Sequence, residues 1–435
     1  MKRHILALFL TIVMMAGSLT VAFAKSPVRL NDAQNFNEFR KQTEDMVDSS
    51  KLFKLKDGKD VKQNVDLSDT FQTGRIIVHP DRPLPQNVLQ KAQKAVSYLD
   101  YVVLQFGNKE AAKEAYGTLK AQYGKTRVFP DVIFRGNVQS VKGIVPVEAR
   151  EYPLDGPYLS WGVTNMGLDK VTEKLSRHSD KPMVKVAVLD TGLNYIDTVS
   201  ECGRIANAFD AVLFNPLPMD FNGHGTFCAG VISESTPDNV LIAPIKVMTM
   251  LGFGSTLSLM VGLMYANTIK ADVVSMSLGG EDILGVPYLD DFFKDLRNNK
   301  ACIVVASGNE RQDTKNCYPA NSEYVICVGG LKKNNKVDKT YSNFGANVDF
   351  VAPGTDVGGH YELLGLPVIM NLTGTSMAAP HVAAACALVK CVHKDYDQDQ
   401  VYDVLKSCAV DIGAKGKDAY SGWGRIDMSS FAAKL

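Results

Sequence analysis

The chain has 435 residues, 46% of them hydrophobic, and its 47 Lys/Arg are balanced by 47 Asp/Glu. That composition excludes a disordered, highly charged polymer and leaves material for a large core plus a second, smaller unit. A net charge of zero gives no electrostatic footprint for nucleic acid.

In chain order, Met1-Lys-Arg-His is a short basic start, followed by an apolar run from Ile5 to about Val21 and small residues at Ala22-Phe-Ala24. The pattern predicts a secretory signal peptide over 1–24, the alternative being an uncleaved anchor. No other segment is expected to span a membrane, and no C-terminal sorting tail is expected. Residues 25–72 are polar and lysine-rich, without a pattern for a compact fold. From Thr73 the pattern changes: Arg75 to His79 reads as a strand, Asn87 to Leu99 as a helix by spacing, and Tyr101 to Phe106 as a strand. Lys109 to Gln122 reads as a helix and Arg127 to Phe134 as a final strand.

The second part, 151–435, carries the chemistry. Val184 to Leu189 is an apolar, β-rich run ending in Asp190-Thr-Gly192, read as a buried parallel strand with its acid at the carboxyl end. His224 lies between two glycines and opens a small-residue stretch read as a helix start. Ala301 to Ser307 reads as another strand, ending at Gly308 and Asn309, whose amide can donate to an oxyanion. Ser376 precedes the apolar run to Val389, read as a buried helix with Pro380 in its first turn. Orphan N–H groups and the positive end of a helix dipole suit a nucleophile there.

Each piece has an ordinary reading: Asp190 and Asn309 as turn residues, His224 as structural, Ser376 as a cap. Together they supply an acid, a base, a nucleophile and an amide donor, each at the end of an element.

With Asp190-Thr-Gly192, Gly223-His-Gly-Thr226 and Gly374-Thr-Ser-Met-Ala-Ala-Pro380 in that order, the chain resembles the subtilisin-like serine peptidases (subtilases) from about Trp161 to Ala432. The resemblance implies an α/β fold, a doubly wound and mostly parallel sheet with helices on both faces. It implies a triad of Asp190, His224 and Ser376, with Asn309 in the oxyanion hole and protein or peptide substrates. It also implies substrate-binding edges at Gly252 and Gly254 on one side and at Ser277, Leu278 and Gly279 on the other, with Ala306 and Gly308 on the walls of the primary pocket. Residues 73–150 are similar to the family's inhibitory α+β propeptide, an intramolecular chaperone and inhibitor. Self-cleavage is then expected between Gly136 and Gly156. The expected product is a secreted, monomeric endopeptidase that needs no cofactor, retains no membrane anchor after signal cleavage and binds no nucleic acid. The alternatives are a maturation peptidase with one partner substrate and a catalytically silent scaffold.

Charge divides along the same boundary. Residues 25–150 hold 21 Lys/Arg against 15 Asp/Glu, and residues 151–435 hold 24 against 32, so the two parts should attract each other. All eight cysteines fall in the second part. Cys228, Cys302 and Cys386 lie in predicted core elements, so mostly free thiols are expected, with at most one or two bridges. No Cys/His spacing forms a metal motif. The run from Ile232 to Asn239 leads straight into Val240, without the longer loop that binds calcium in many relatives, which argues against a strong calcium site there. No acidic cluster selects basic residues, so an apolar or aromatic residue is expected before the cut bond.

Overall fold

The structure, a computed structural model, describes residues 70–98, 101–136, 140–146, 160–178, 180–194, 204–282, 288–363 and 366–435. The expected signal peptide, most of the polar segment and most of the expected self-cleavage segment lie outside the described residues.

The N-terminal unit is a four-stranded sheet in the order β2-β3-β1-β4, built from β1 (Arg75–Val78), β2 (Lys94–Tyr98), β3 (Tyr101–Gln105) and β4 (Val128–Pro130). It carries a one-turn helix α1 (Gln86–Leu89) and a longer helix α2 (Lys109–Tyr123), which Asn108 caps by accepting from the Ala111 N–H at 2.8 Å. The helix expected over 87–99 is overturned after one turn. Val96 and Tyr98 are weak helix formers, and pairing of β2 with β3 wins over local propensity.

Strand alternation gives this sheet two faces. Ile76 and Val78 pack with Leu104, Ala112 and Leu119 in the unit's own core. Ile77, Val96, Val103 and Phe129 instead join the core of the large domain. The single strand expected over 127–134 is divided at Asp131-Val132 into β4 and β5 (Ile133–Gly136). The division has a cause: the buried Asp131 carboxylate accepts from Arg75 Nε at 2.6 Å and from the Leu257 N–H of the large domain at 2.7 Å. A further strand, β6 (Ser140–Pro146), follows.

The large domain is a nine-stranded sheet. Its central strands are β7 (Val184–Asp190), β9 (Val240–Lys246), β11 (Val273–Met276), β13 (Cys302–Ala306), β15 (Ile326–Leu331) and β16 (Val348–Pro353). Short strands β8 (Phe209–Asp210), β19 (Ala409–Val410) and β20 (Arg425–Ile426) complete its edges, in the order β19-β20-β16-β15-β13-β11-β7-β9-β8. Every pair is parallel except β19 with β20. Along β7, Val186 and Val188 face one core while Ala187 and Leu189 face the other. On the first face lie α3 (Leu168–Ser176), α4 (His224–Ser235) and α7 (Thr375–Val392); on the second lie α5 (Thr256–Thr268) and α6 (Asp290–Asn298). Helix α8 (Gln398–Ser407) packs beside α7. This is the doubly wound arrangement expected from the sequence. Among the described cysteines, 228, 302, 317, 327, 386, 391 and 408, all are buried and none is bridged.

Candidate active site

The site forms at the carboxyl ends of the central strands, where open α/β sheets leave a crevice. Asp190 closes β7 and accepts the Thr191 N–H at 2.7 Å. His224 opens α4, and its entry loop is wound around one buried carboxylate, Asp220. That group accepts from the N–H groups of Asn222, Gly223 and Thr226 and from the Thr226 hydroxyl, all within 2.8–2.9 Å. Close approach requires glycine at 225, because a Cβ there would lie 2.3 Å from the Gly192 carbonyl oxygen. The Gly225 N–H instead reaches the Thr191 hydroxyl at 2.8 Å. The loop therefore sets the imidazole against Asp190, with Nδ1 to Oδ1 at 2.7 Å and both side chains buried. The carboxylate only accepts, so Nδ1 carries the proton and Nε2 is left as the acceptor. His224 Nε2 is buried and has no partner among the described residues.

Burial by itself pushes the His224 imidazole down, but the charge and hydrogen bond of Asp190, with Asp220 behind it, outweigh that and hold it above its ordinary value.

Ser376 lies in the first turn of α7. Pro380 sits in the second turn, not the first as expected, and the displacement has a consequence. Proline has no N–H to give to the carbonyl four residues back, which is that of Ser376. Two side chains take it instead: the Ser277 hydroxyl donates at 2.8 Å and the Cys228 thiol at 3.6 Å. The Ser376 hydroxyl donates to the Ser277 carbonyl at 3.1 Å. Asn309 is tied to the same turn, its Oδ1 accepting from the Thr375 N–H at 2.9 Å and the Thr375 hydroxyl at 3.0 Å. The Gly308 N–H donates to the Thr375 hydroxyl at 3.1 Å, and buried Ala306 ends β13 just before. Gly308 and Asn309 are thus held against Thr375, the residue before Ser376.

A second sheet crosses in front of these groups. Its strands, in order, are β10 (Phe253–Ser255), β5, β12 (Leu278–Glu281) and β14 (Cys317–Tyr318), all antiparallel. β5 of the N-terminal unit lies between the two edges named from the sequence. Gly254 pairs with Phe134, Leu278 with Gly136 and Gly279 with Arg135; the Gly136 N–H donates to the Gly252 carbonyl at 2.9 Å. Further along, β6 pairs antiparallel with β18 (Leu366–Thr373), which pairs with β17 (Val357–Leu363).

A serine–histidine contact forms elsewhere in the large domain. The Ser160 hydroxyl is 2.6 Å from His381 Nε2, and His381 Nδ1 is 2.7 Å from the Met377 carbonyl. Both residues are buried, and among the described residues neither ring nitrogen meets a carboxylate. Burial pushes His381 down to about 4.

Donor atoms of Asp190, His224 and Cys228 lie within 4.8 Å of one another. His224 Nδ1 is committed to Asp190, and burial followed by the charge of Asp190 pushes the Cys228 thiol well above its usual value. This donor set holds a neutral thiol, a poor metal ligand. Sequence reasoning passed over Asp220 and Ser277 as positioning groups; for Asp220 the signal was a carboxylate two residues before Asn222-Gly223, an Asx-turn pattern.

Residues 181–424 match the sequence model of the Subtilase family (peptidase S8). The chain belongs to the subtilase family. It is similar to a cuticle-degrading serine protease of Arthrobotrys oligospora, 33% identical over 256 residues, which cover 55% of this chain and 61% of that one. It is also similar to Subtilisin Savinase of Lederbergia lenta, 34% identical over 239 residues, covering 53% of this chain and 85% of that one. The minor extracellular protease Epr of Bacillus subtilis is 30% identical over 257 residues, covering 57% of this chain and 38% of that one. The matches thus span under two thirds of the Arthrobotrys and Epr chains. A solved structure of a protease from Pseudoalteromonas arctica shares the fold with a TM-score of 0.53, at 24% identity over 62% of this chain and 94% of that one.

Proposed function

We propose that the protein is a serine endopeptidase, exported and made as a self-processing zymogen, with Asp190, His224 and Ser376 as its triad. The observation that carries this reading is the 2.7 Å Asp190–His224 pair, which leaves Nε2 as an acceptor within a cleft already occupied by an extended strand.

In the reaction, His224 Nε2 takes the proton of the Ser376 hydroxyl as Oγ attacks a peptide carbonyl carbon. Asp190 holds the tautomer and stabilises the imidazolium that forms. The Ser376 N–H and the Asn309 amide NH2, with Oδ1 anchored by Thr375, stabilise the developing oxyanion. His224 then delivers its proton to the departing amine. Water hydrolyses the ester by the reverse sequence. No step requires a cofactor or metal; calcium would have only a structural role. Ala306 and Gly308 would line the pocket for the residue before the cut.

The N-terminal unit acts as intramolecular chaperone and inhibitor. Its contacts with the large domain fit that role: Asp131 accepts from Leu257 N–H, the Tyr101 ring stacks on Phe292 at 5.2 Å, and Arg135 approaches Glu310 at 3.8 Å. Processed protein should hydrolyse unfolded casein, and Ser376→Ala should abolish this. Equal hydrolysis by the variant would remove Ser376 from the role, and a correctly folded, inert wild type would leave a silent scaffold.

A further inference from the structure

We infer that Lys246 is a positioning residue for the proposed triad: its buried ammonium holds the Thr191 peptide, the seat shared by Asp190 and the first turn of the His224 helix. It rests on the endopeptidase reading above and adds a residue outside the reacting atoms.

Strand register brings three charges together. Across the parallel strands β8, β9 and β7, Asp210 stands opposite Lys246 and Lys246 opposite Asp190. Their neighbours Phe209, Ile245 and Leu189 all join the second core. Alternation therefore turns the three charged side chains to the other face of the sheet, where α4 packs. The result is a row of acid, ammonium and acid at the carboxyl edge, and all three side chains are buried.

A buried ammonium is costly unless it is paired and hydrogen-bonded. An apolar side chain would fill an ordinary core position at less cost, so this lysine calls for a specific partner. Lys246 Nζ donates to the Thr191 carbonyl. Its charge is also felt by Asp210, which burial pushes up to about 6 against the pull of Lys246. Asp210 is itself fixed in its turn, its Oδ1 accepting the N–H groups of Val212 and Leu213 at 2.8 Å.

What Lys246 holds is the link between the acid and the base. The Thr191 N–H donates to Asp190 Oδ1 at 2.7 Å, the same oxygen that faces His224 Nδ1. The Thr191 hydroxyl accepts the Gly225 N–H at 2.8 Å, in the first turn of α4. The approach there is close, since a Cβ at 225 would lie 2.9 Å from Gly192 N and 3.1 Å from Thr191 N. The residues after Lys246 pin the preceding peptide: the Asp190 carbonyl accepts the N–H of Val247 at 2.8 Å and that of Met248 at 3.1 Å. The end of β9 thus fixes two consecutive carbonyls, 190 by main chain and 191 by the lysine. A tilted Thr191 peptide would move Asp190 Oδ1 and Gly225 together, and with them the 2.7 Å contact between acid and base. Asp220 organises the His224 loop from within; Lys246 acts on the strand end that the loop meets.

The test uses enzyme processed from the full chain, with active molecules counted by fluorophosphonate titration and a chromogenic peptide as substrate. Lys246→Met keeps the length of the side chain and removes its charge and donors. It should lower kcat about a hundredfold with KM unchanged, since a misplaced base costs rate and not ground-state binding. Thr191→Val removes the hydroxyl and leaves the carbonyl. It should also lower kcat at unchanged KM, and it decides the question if Lys246→Met does not fold. The double variant should lose little more than the worse single variant, because both act through one peptide. A wild-type kcat in folded Lys246→Met or Thr191→Val, with only a lowered Tm, would overturn the inference. Losses that multiply in the double variant would overturn it as well, since the two residues would then act separately. Wild type that is neither titrated nor active would instead overturn the endopeptidase reading, and this inference with it.

Discussion

His224 and His381 are both buried and both lie in helices, and among the described residues only His381 meets a serine hydroxyl, that of Ser160. They differ in what holds Nδ1. His224 gives that proton to a carboxylate, Asp190, while His381 gives it to a backbone carbonyl, that of Met377. A carboxylate can stabilise an imidazolium; a neutral carbonyl in a buried site does so far less. Accordingly His224 is held above its ordinary value, whereas burial takes His381 down to about 4. In the proposed reaction the His224 ring accepts a proton and returns it. The other stays neutral and serves as a packed acceptor for Ser160. The lesson is that a short serine–histidine distance identifies nothing until the far nitrogen's partner is known.

The contrast breaks most sharply under truncation. His224→Ala should lower kcat of the processed enzyme about a million-fold, the size of loss that removing the triad histidine has in subtilisin itself. His381→Leu should leave kcat within tenfold but destabilise the fold by roughly 1–3 kcal/mol, because the Ser160 O–H loses its acceptor while its oxygen keeps the Gly162 N–H at 3.0 Å. Comparable kinetic losses in both variants would erase the distinction. Converting Asp190 to Asn tests the orienting carboxylate alone. It should cost about ten-thousand-fold in kcat by favouring the wrong tautomer, and should move the acid limb of the kcat/KM profile downward. In wild type that limb should lie above 6.5, the ordinary histidine value, since the base works only when neutral and its value is raised.

His381 makes the opposite prediction for stability. Its native value is depressed from 6.5 to about 4, so the unfolded chain takes up the proton first as pH falls. Its neutral-state stabilisation is complete above pH 6.5 and is lost progressively down to pH 4, by about 3 kcal/mol in all. Denaturant titrations of Ser376→Ala protein across that window should show the loss, and His381→Gln should flatten it. A curve unchanged by His381→Gln would place the acid sensitivity elsewhere. The smallest effect concerns the carbonyl that Pro380 leaves without a helical partner. Ser277→Ala should cost about 1–2 kcal/mol through that buried oxygen, read as a lowered denaturation midpoint. No change would mean that the Cys228 thiol suffices.

The three residues of the proposed triad stood out in the sequence because each carries its own chemistry at an element end: an acid closing an apolar strand, a histidine between glycines, a serine opening an apolar helix. The parallel sheet was legible from its continuous apolar strands, which only burial on both faces explains. The Asn87 to Leu99 stretch was not, since its helical spacing competes with pairing to β3, and pairing is a non-local term that no window of sequence contains. Asp220 was hidden for another reason. It touches no substrate and matters only through four donors brought together by the loop it organises. Pro380 was placed one turn too early because α7 starts at Thr375, before Ser376 itself, and its effect appears at the carbonyl four residues back.

The most direct test of the triad is to label processed wild-type protein with a fluorophosphonate and map the modified residue. The expected result is a single adduct on Ser376, lost in Ser376→Ala and strongly slowed in His224→Ala, with Ser160 unmodified. An adduct on Ser160, or labelling that survives Ser376→Ala, would contradict it.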